Sequence, residues 1–260
     1  MDLARERADW EAWRASRDAR LRDRRGWLAV VALHWLRPGE NRLEGLPGTF
    51  TLAGGEVELS AAPGDGYALR GEPLVRARLA TDAGPDPDVV TRGEATRLQV
   101  LARGARRAVP VWDAGAPARR AFPGVECFPF DPAWRIEARW EPFVPPRRVL
   151  VEDVTGSVAE REVPGRAVFT AGGRELALEP TADGDRLAFV FRDATAGAGT
   201  YGAGRFLSAE APRDGRLVLD FNRAVNPPCA FTPLATCPLP RPENALPVPV
   251  TAGERFGGDH

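Results

Sequence analysis

Lysine is missing from this sequence: all 35 Lys+Arg positions are arginine. A chain without lysine forms no Schiff base, anchors no pyridoxal phosphate and sets no P-loop lysine on a phosphate, so those mechanisms are excluded. Histidine is nearly missing too. His34 and His260 are the only two, too few for a three-histidine zinc site or an iron facial triad unless the tail folds back. Serine is confined to Ser16, Ser60, Ser157 and Ser208. None stands in a G-x-S-x-G, which removes the hydrolase nucleophile elbow.

Charge of one sign is also lacking. The formal net charge is -1, with no basic excess of the kind that nucleic acid or an anionic membrane attracts. No stretch approaches the roughly 18 uninterrupted apolar residues of a membrane span. The start, Met-Asp-Leu-Ala-Arg-Glu-Arg, is charged and offers no apolar core of an export signal. A cytoplasmic protein is expected, with no nucleic-acid or membrane partner and with its thiols reduced. Nothing in the sequence speaks for a particular oligomeric state.

What is there suffices for a real core. The chain has 260 residues, 43% hydrophobic and 27% charged, enough for one large domain or two small ones. Residues 2 to about 24 read as a helix capped by Asp2 and stopped by Gly26. Leu3, Trp10, Trp13 and Leu21 form its docking face. The apolar run Trp27–Leu36 reads as a buried strand. Short strands follow, set apart by turn signals: Thr49–Leu52 and Val57–Leu59 around Gly54-Gly55, then Arg97–Ala102 and Ala108–Trp112 around Gly104. Ile136, Ala138 and Trp140 alternate with charged residues, and Val149–Val151, Ala167–Thr170, Glu175–Leu178, Leu187–Phe191 and Leu217–Phe221 continue in that style.

Long helical segments do not alternate with these strands. The fold class is therefore all-β, a barrel or sandwich of short antiparallel strands with an N-terminal helix. The organisation expected is a helix over 1–25, a β-rich body over 26–221 and a proline-rich ordered wrap over 222–260. The body can be cut into two β lobes sharing one core, with a boundary near 145–165. Hairpins around Gly54-Gly55 and Gly172-Gly173 resemble each other, through duplication or through convergence on one turn chemistry. The wrap carries prolines at 227, 228, 233, 238, 240, 242, 247 and 249, which bar a central strand or helix. Its Phe231, Leu234, Leu239 and Leu246 argue against disorder.

Several motifs bear on chemistry. Gly197-Ala198-Gly199-Thr200-Tyr201-Gly202 spells G-x-G-x-x-G, but a dinucleotide site needs a helix starting inside the glycines. The residues that follow read as a short strand and a turn. Cys229 and Cys237 have seven residues between them, a wider spacing than a zinc knuckle. They read as structural thiols, a metal pair or a reactive thiol pair, and a Cys229–His34 pairing stays open. His34 itself reads as a satisfied core histidine. The expectation is no metal centre and no cofactor.

The densest polar cluster is Asp193, Thr195, Thr200, Tyr201, Arg205, Asp220, Asn222, Arg223 and Asn226. As a site, it would use Asp220 or Asp193 as acid/base group and Tyr201 as a hydrogen-bonding catalytic partner. Arg205, Arg223, Asn222 and Thr200 would bind a small anionic ligand. As structure, the same groups would pin the proline-rich wrap. Two functions follow: an enzyme doing proton-transfer or hydrolytic chemistry on a small anionic metabolite, or a non-catalytic ligand-binding or scaffold protein.

Several runs here carry a resemblance. They are Gly26-Trp27-Leu28, Phe122-Pro123-Gly124 with Phe128-Pro129, Trp134-Arg135, Thr200 through Leu207, and Asp220-Phe221-Asn222-Arg223-Ala224 followed by Asn226 through Phe231. Together with Cys237-Pro238-Leu239-Pro240, Asn244 and Ala252-Gly253-Glu254, they resemble the bacterial DUF1684 family, a domain of unknown function. The resemblance implies a shared layout and no catalytic residue. Val225, Arg241 and Ala245 depart from it, where tyrosine, proline and arginine are expected.

Overall fold

Residues 3–257 are described in the computed structural model of the protein. Antiparallel sheets follow an N-terminal helix, so the all-β class with its leading helix holds. The chain divides into two units, Met1–Asp18 with Pro123–His260, and Ala19–Phe122.

The helix Leu3–Arg22 is rich in Ala and Arg and contains neither Gly nor Pro, which is why it runs unbroken. The cap read at Asp2 lies outside the described residues. Trp10 and Leu21 are buried, Trp13 is half-buried and Leu3 is exposed. The Trp10 indole N–H donates to the Asn222 carbonyl at 2.9 Å, and its ring meets Phe130 at 5.7 Å. The aromatic stripe therefore docks the helix, as its spacing suggested.

In the unit Ala19–Phe122, one sheet orders Val30–Trp35, Arg106–Asp113, Thr96–Gln99, Val89–Arg92, Tyr67–Leu69 and Glu72–Pro73, with Leu101–Arg103 paired beside Arg106–Asp113. A second orders Gly39–Asn41, Thr49–Ala53, Glu56–Ser60 and Arg76–Leu79. Phe50, Val57 and Leu59 from the second sheet share one core with Val90, Leu98 and Val109 from the first. This is a sandwich. Val30–Trp35 is an edge strand and mostly half-buried, which corrects the buried strand read from its apolar run; Trp27–Ala29 is a 3₁₀ turn.

The other unit packs Arg174–Leu178, Val158–Ala171, Arg135–Glu152 and Arg216–Asp220 against a three-stranded sheet of Thr181–Asp183, Arg186–Phe191 and Arg205–Glu210. Its core centres on Phe221, fully buried and ringed by Trp134 at 5.8 Å, Phe169 at 5.6 Å and Phe191 at 5.5 Å. The buried side chains thus gather into two cores, one per unit, rather than one shared core. Residues 145–165 fall within the two long paired strands Arg135–Glu152 and Val158–Ala171 and the turn between them.

The C-terminal stretch is ordered without regular sheet. It makes 3₁₀ turns at Phe221–Arg223, Pro228–Ala230 and Pro242–Asn244, then lays Leu246, Val248, Val250 and Ala252 into the core of its unit. Alternate residues from 246 to 250 are buried and exposed, the period of extended chain. Among the described residues no helix is long and apolar enough to cross a membrane.

Candidate functional site

The C-terminal wrap needs polar anchors, because extended chain outside a sheet leaves its N–H and C=O groups without ladder partners. The sequence-predicted cluster supplies them. Arg205 opens the strand Arg205–Glu210, and its side chain is 1% exposed. Its guanidinium donates to Asp193 at 2.8 Å, to the Val250 carbonyl at 2.9 Å, to the Glu254 carbonyl at 3.3 Å and to the Ala252 carbonyl. Asp193, also 1% exposed, takes that charge on one oxygen. On the other it accepts the Thr195 N–H at 2.9 Å, the Thr195 hydroxyl at 2.6 Å and the Val250 N–H at 3.1 Å. Burial depresses the Arg205 pKa, and the neighbouring Asp193 works against that depression.

Thr200 is buried, and its hydroxyl meets that of Thr195 at 2.9 Å. The Thr195 carbonyl accepts the N–H groups of Ala198, Gly199 and Thr200. The glycine-rich loop is therefore closed on itself, and a strand follows it rather than a helix. That geometry gives no phosphate cradle.

Asn222 is likewise committed. Its side chain accepts the Asp131 N–H at 3.0 Å and donates to the Asp131 carbonyl at 2.9 Å and to Asp220 at 3.1 Å. Asp220 pairs with Arg223 at 3.3 Å, with side chains 22% and 42% exposed. Arg223 also lies over the Trp13 ring at 5.9 Å. Asp220 and Arg223 thus reach solvent, whereas Asp193, Thr200, Arg205 and Asn222 are enclosed. Arg205, read as an anion anchor, and Asp193, read as an acid/base group, direct their hydrogen bonds to each other and to the wrap.

Glu254 is a second enclosed charge. It accepts from Arg17 at 2.9 Å and from the Asn226 N–H at 2.6 Å, while burial raises its carboxyl pKa. No group of three or more His, Cys, Asp and Glu side chains is gathered for a metal among the described residues. Nor does His34 meet its expectation as a satisfied histidine, since its Nε2 is buried without a partner among them. Burial lowers its pKa.

A concavity lies elsewhere in the same unit. Its volume is about 60 Å³, against roughly 10–15 Å³ for one water, so it admits a small oxyanion or carboxylate. Val151, Val163, Val190 and Leu239 make its apolar wall, and Arg161, Arg241 and Glu179 its charged rim. Glu179 pairs with Arg241 at 3.0 Å and Arg147 at 3.6 Å. Arg161 is exposed and its side chain forms no ion pair among the described residues; its guanidinium donates to the Glu160 carbonyl at 3.3 Å. Asn244 is buried and ties the wall together through the Glu179 and Val190 carbonyls, both at 2.9 Å, and the Glu179 N–H at 2.8 Å. None of these residues belongs to the cluster picked out in the sequence.

The family model described as "Protein of unknown function (DUF1684)" matches residues 120–255. The solution NMR structure of the uncharacterized protein from gene locus rrnAC0354 of Haloarcula marismortui is 32% identical to this chain. That match covers 55% of this chain and 83% of that one, with a TM-score of 0.47. No curated protein matches.

Proposed function

The chain belongs to the DUF1684 family, which has no assigned function, and from its own geometry we propose that it is a non-catalytic protein that binds a small anion. The ligand sits in the cleft walled by Val151, Val163, Val190 and Leu239. The observation that carries this reading is Arg161, an exposed guanidinium with no ion pair among the described residues, lining an apolar hollow. Arg241, paired with Glu179 and Glu243, adds positive charge to the same lining. An arginine fork matches a carboxylate or phosphate in two parallel hydrogen bonds.

Asp193, Thr200, Arg205 and Asn222 hold the wrap in this reading and contact no ligand. A second reading, proton-transfer chemistry at Asp220 with Arg223 as anion anchor, is favoured by the solvent exposure of the Asp220–Arg223 pair.

Isothermal titration with inorganic phosphate and with succinate tests the first reading. Saturable binding is expected, and Arg161→Ala should weaken it at least about tenfold, or 1.4 kcal/mol, with the melting temperature unchanged. Absence of saturable binding for both probes, or an Arg161→Ala protein that binds as well as the original, would overturn it. Turnover of any phosphate ester or carboxylate substrate that disappears in a stable Asp220→Asn protein would install the enzyme reading instead.

A further inference from the structure

Two thiols meet in the C-terminal wrap. Cys229 sits in the 3₁₀ turn Pro228–Ala230 and is partly exposed, while Cys237 is buried. The Cys229 N–H donates to the Cys237 sulfur at 3.3 Å, which sets that sulfur against the Cys229 backbone. Neither is in a disulfide.

The scaffold around them is fixed on both sides. The Cys237 carbonyl accepts the Val154 N–H at 2.9 Å, and Leu239 donates to the Glu152 carbonyl at 2.8 Å. The Tyr201 hydroxyl donates to the Cys229 carbonyl at 3.0 Å, and its ring is packed edge-on by Phe256 at 4.9 Å. Cys229 is thus the partly exposed member of the pair, and the sulfur of the buried Cys237 lies against its backbone N–H.

We propose that Cys229 and Cys237 form a redox-active dithiol that reacts with low-molecular-weight disulfides, Cys229 attacking and Cys237 resolving. The Cys229 thiolate attacks one sulfur of a disulfide R–S–S–R. That S–S bond breaks, one thiol R–SH leaves with a proton, and a mixed disulfide remains on Cys229. Cys237 then gives up its proton and attacks the Cys229 sulfur, forming the protein disulfide and releasing the second R–SH. Two protein thiols are oxidised and one small disulfide is reduced, so atoms and electrons balance.

The asymmetry of the pair supports the order of attack. The neighbouring Cys237 thiol, opposed by burial, brings the Cys229 pKa down to about 7. The same pairing, together with burial, pushes Cys237 strongly upward. Cys127 makes the internal control: burial raises its thiol to about 11, where thiolate is scarce at neutral pH.

The experiment adds oxidised glutathione to the full-length protein at pH 7.5, quenches with acid and follows the cysteine-bearing fragments by mass spectrometry. The expected course is a transient glutathione adduct on Cys229, then loss of two hydrogens from the fragment holding both cysteines, reversed by dithiothreitol. In Cys237→Ser the adduct should persist, and in Cys229→Ser no disulfide should form. Iodoacetamide should modify Cys229 at least about tenfold faster than Cys127. The unsubstituted protein decides the matter even where a variant fails to fold. Both thiols still free after treatment that oxidises the guanidinium-unfolded chain, or an adduct that lands first on Cys127, would overturn the assignment.

Discussion

Arg205 has the longest list of bonds to the wrap, and its removal isolates the effect of an enclosed charge. In Arg205→Ala the Asp193 carboxylate would remain buried with its counter-ion gone, and Val250, Ala252 and Glu254 would lose a donor at their carbonyls. Breaking a buried pair from one side costs about 3–5 kcal/mol. Urea unfolding should report a loss of that size, and a loss below about 1 kcal/mol would show that the pair is not holding the wrap. Arg205, Asp193, Thr195 and Thr200 form one hydrogen-bonded chain while Asn222 bonds separately to Asp131 and Asp220, and the sequence could not show which way any of them faces. Asp193 meets Val250 57 residues later, and no local pattern announces that encounter. The cleft was invisible for the same reason, because Arg161, Glu179 and Arg241 come from separate stretches of chain.

Hairpins were the elements most legible in sequence. Gly54-Gly55 and Gly172-Gly173 both turn with positive φ at each glycine, the tight geometry that a right-twisted antiparallel pair prefers. Each links the strands its dipeptide implied. Arg135–Glu152 was not legible as one strand. Pro142, Pro145 and Pro146 interrupt its pattern, and its register with Val158–Ala171 shifts between Pro142 and Arg147, where proline cannot donate to the ladder. The wrap has its own requirement at Gly253. Its φ is 77°, and a β-carbon there would lie 2.6 Å from the Ala224 carbonyl oxygen and 2.7 Å from that of Phe221. Gly253→Ala should therefore lower stability by about 2–4 kcal/mol, since both the backbone conformation and two rigid oxygens oppose it. Calorimetry checks this, and an unchanged melting temperature would mean that the wrap can shift away from Phe221.

Two cores have consequences for how the protein behaves in pieces. Every buried residue of the cluster around Phe50 and Val109 comes from within Ala19–Phe122, a continuous stretch of roughly the size at which a domain folds alone. Expressed by itself, residues 19–122 should give a β-type circular dichroism spectrum and a cooperative thermal transition. A featureless melt, or a spectrum of unfolded chain, would count against that independence.

The other unit is discontinuous and cannot assemble on the same schedule. It draws Trp10 and Arg17 from the start of the chain and Val250, Ala252 and Glu254 from near its end. During synthesis its sheets must therefore wait for residues made more than 200 positions after Arg17. Premature termination before residue 250 would leave Arg205 and Asp193 facing a slot that nothing fills. Quality-control proteases would meet such a product with its hydrophobic interior open on one side.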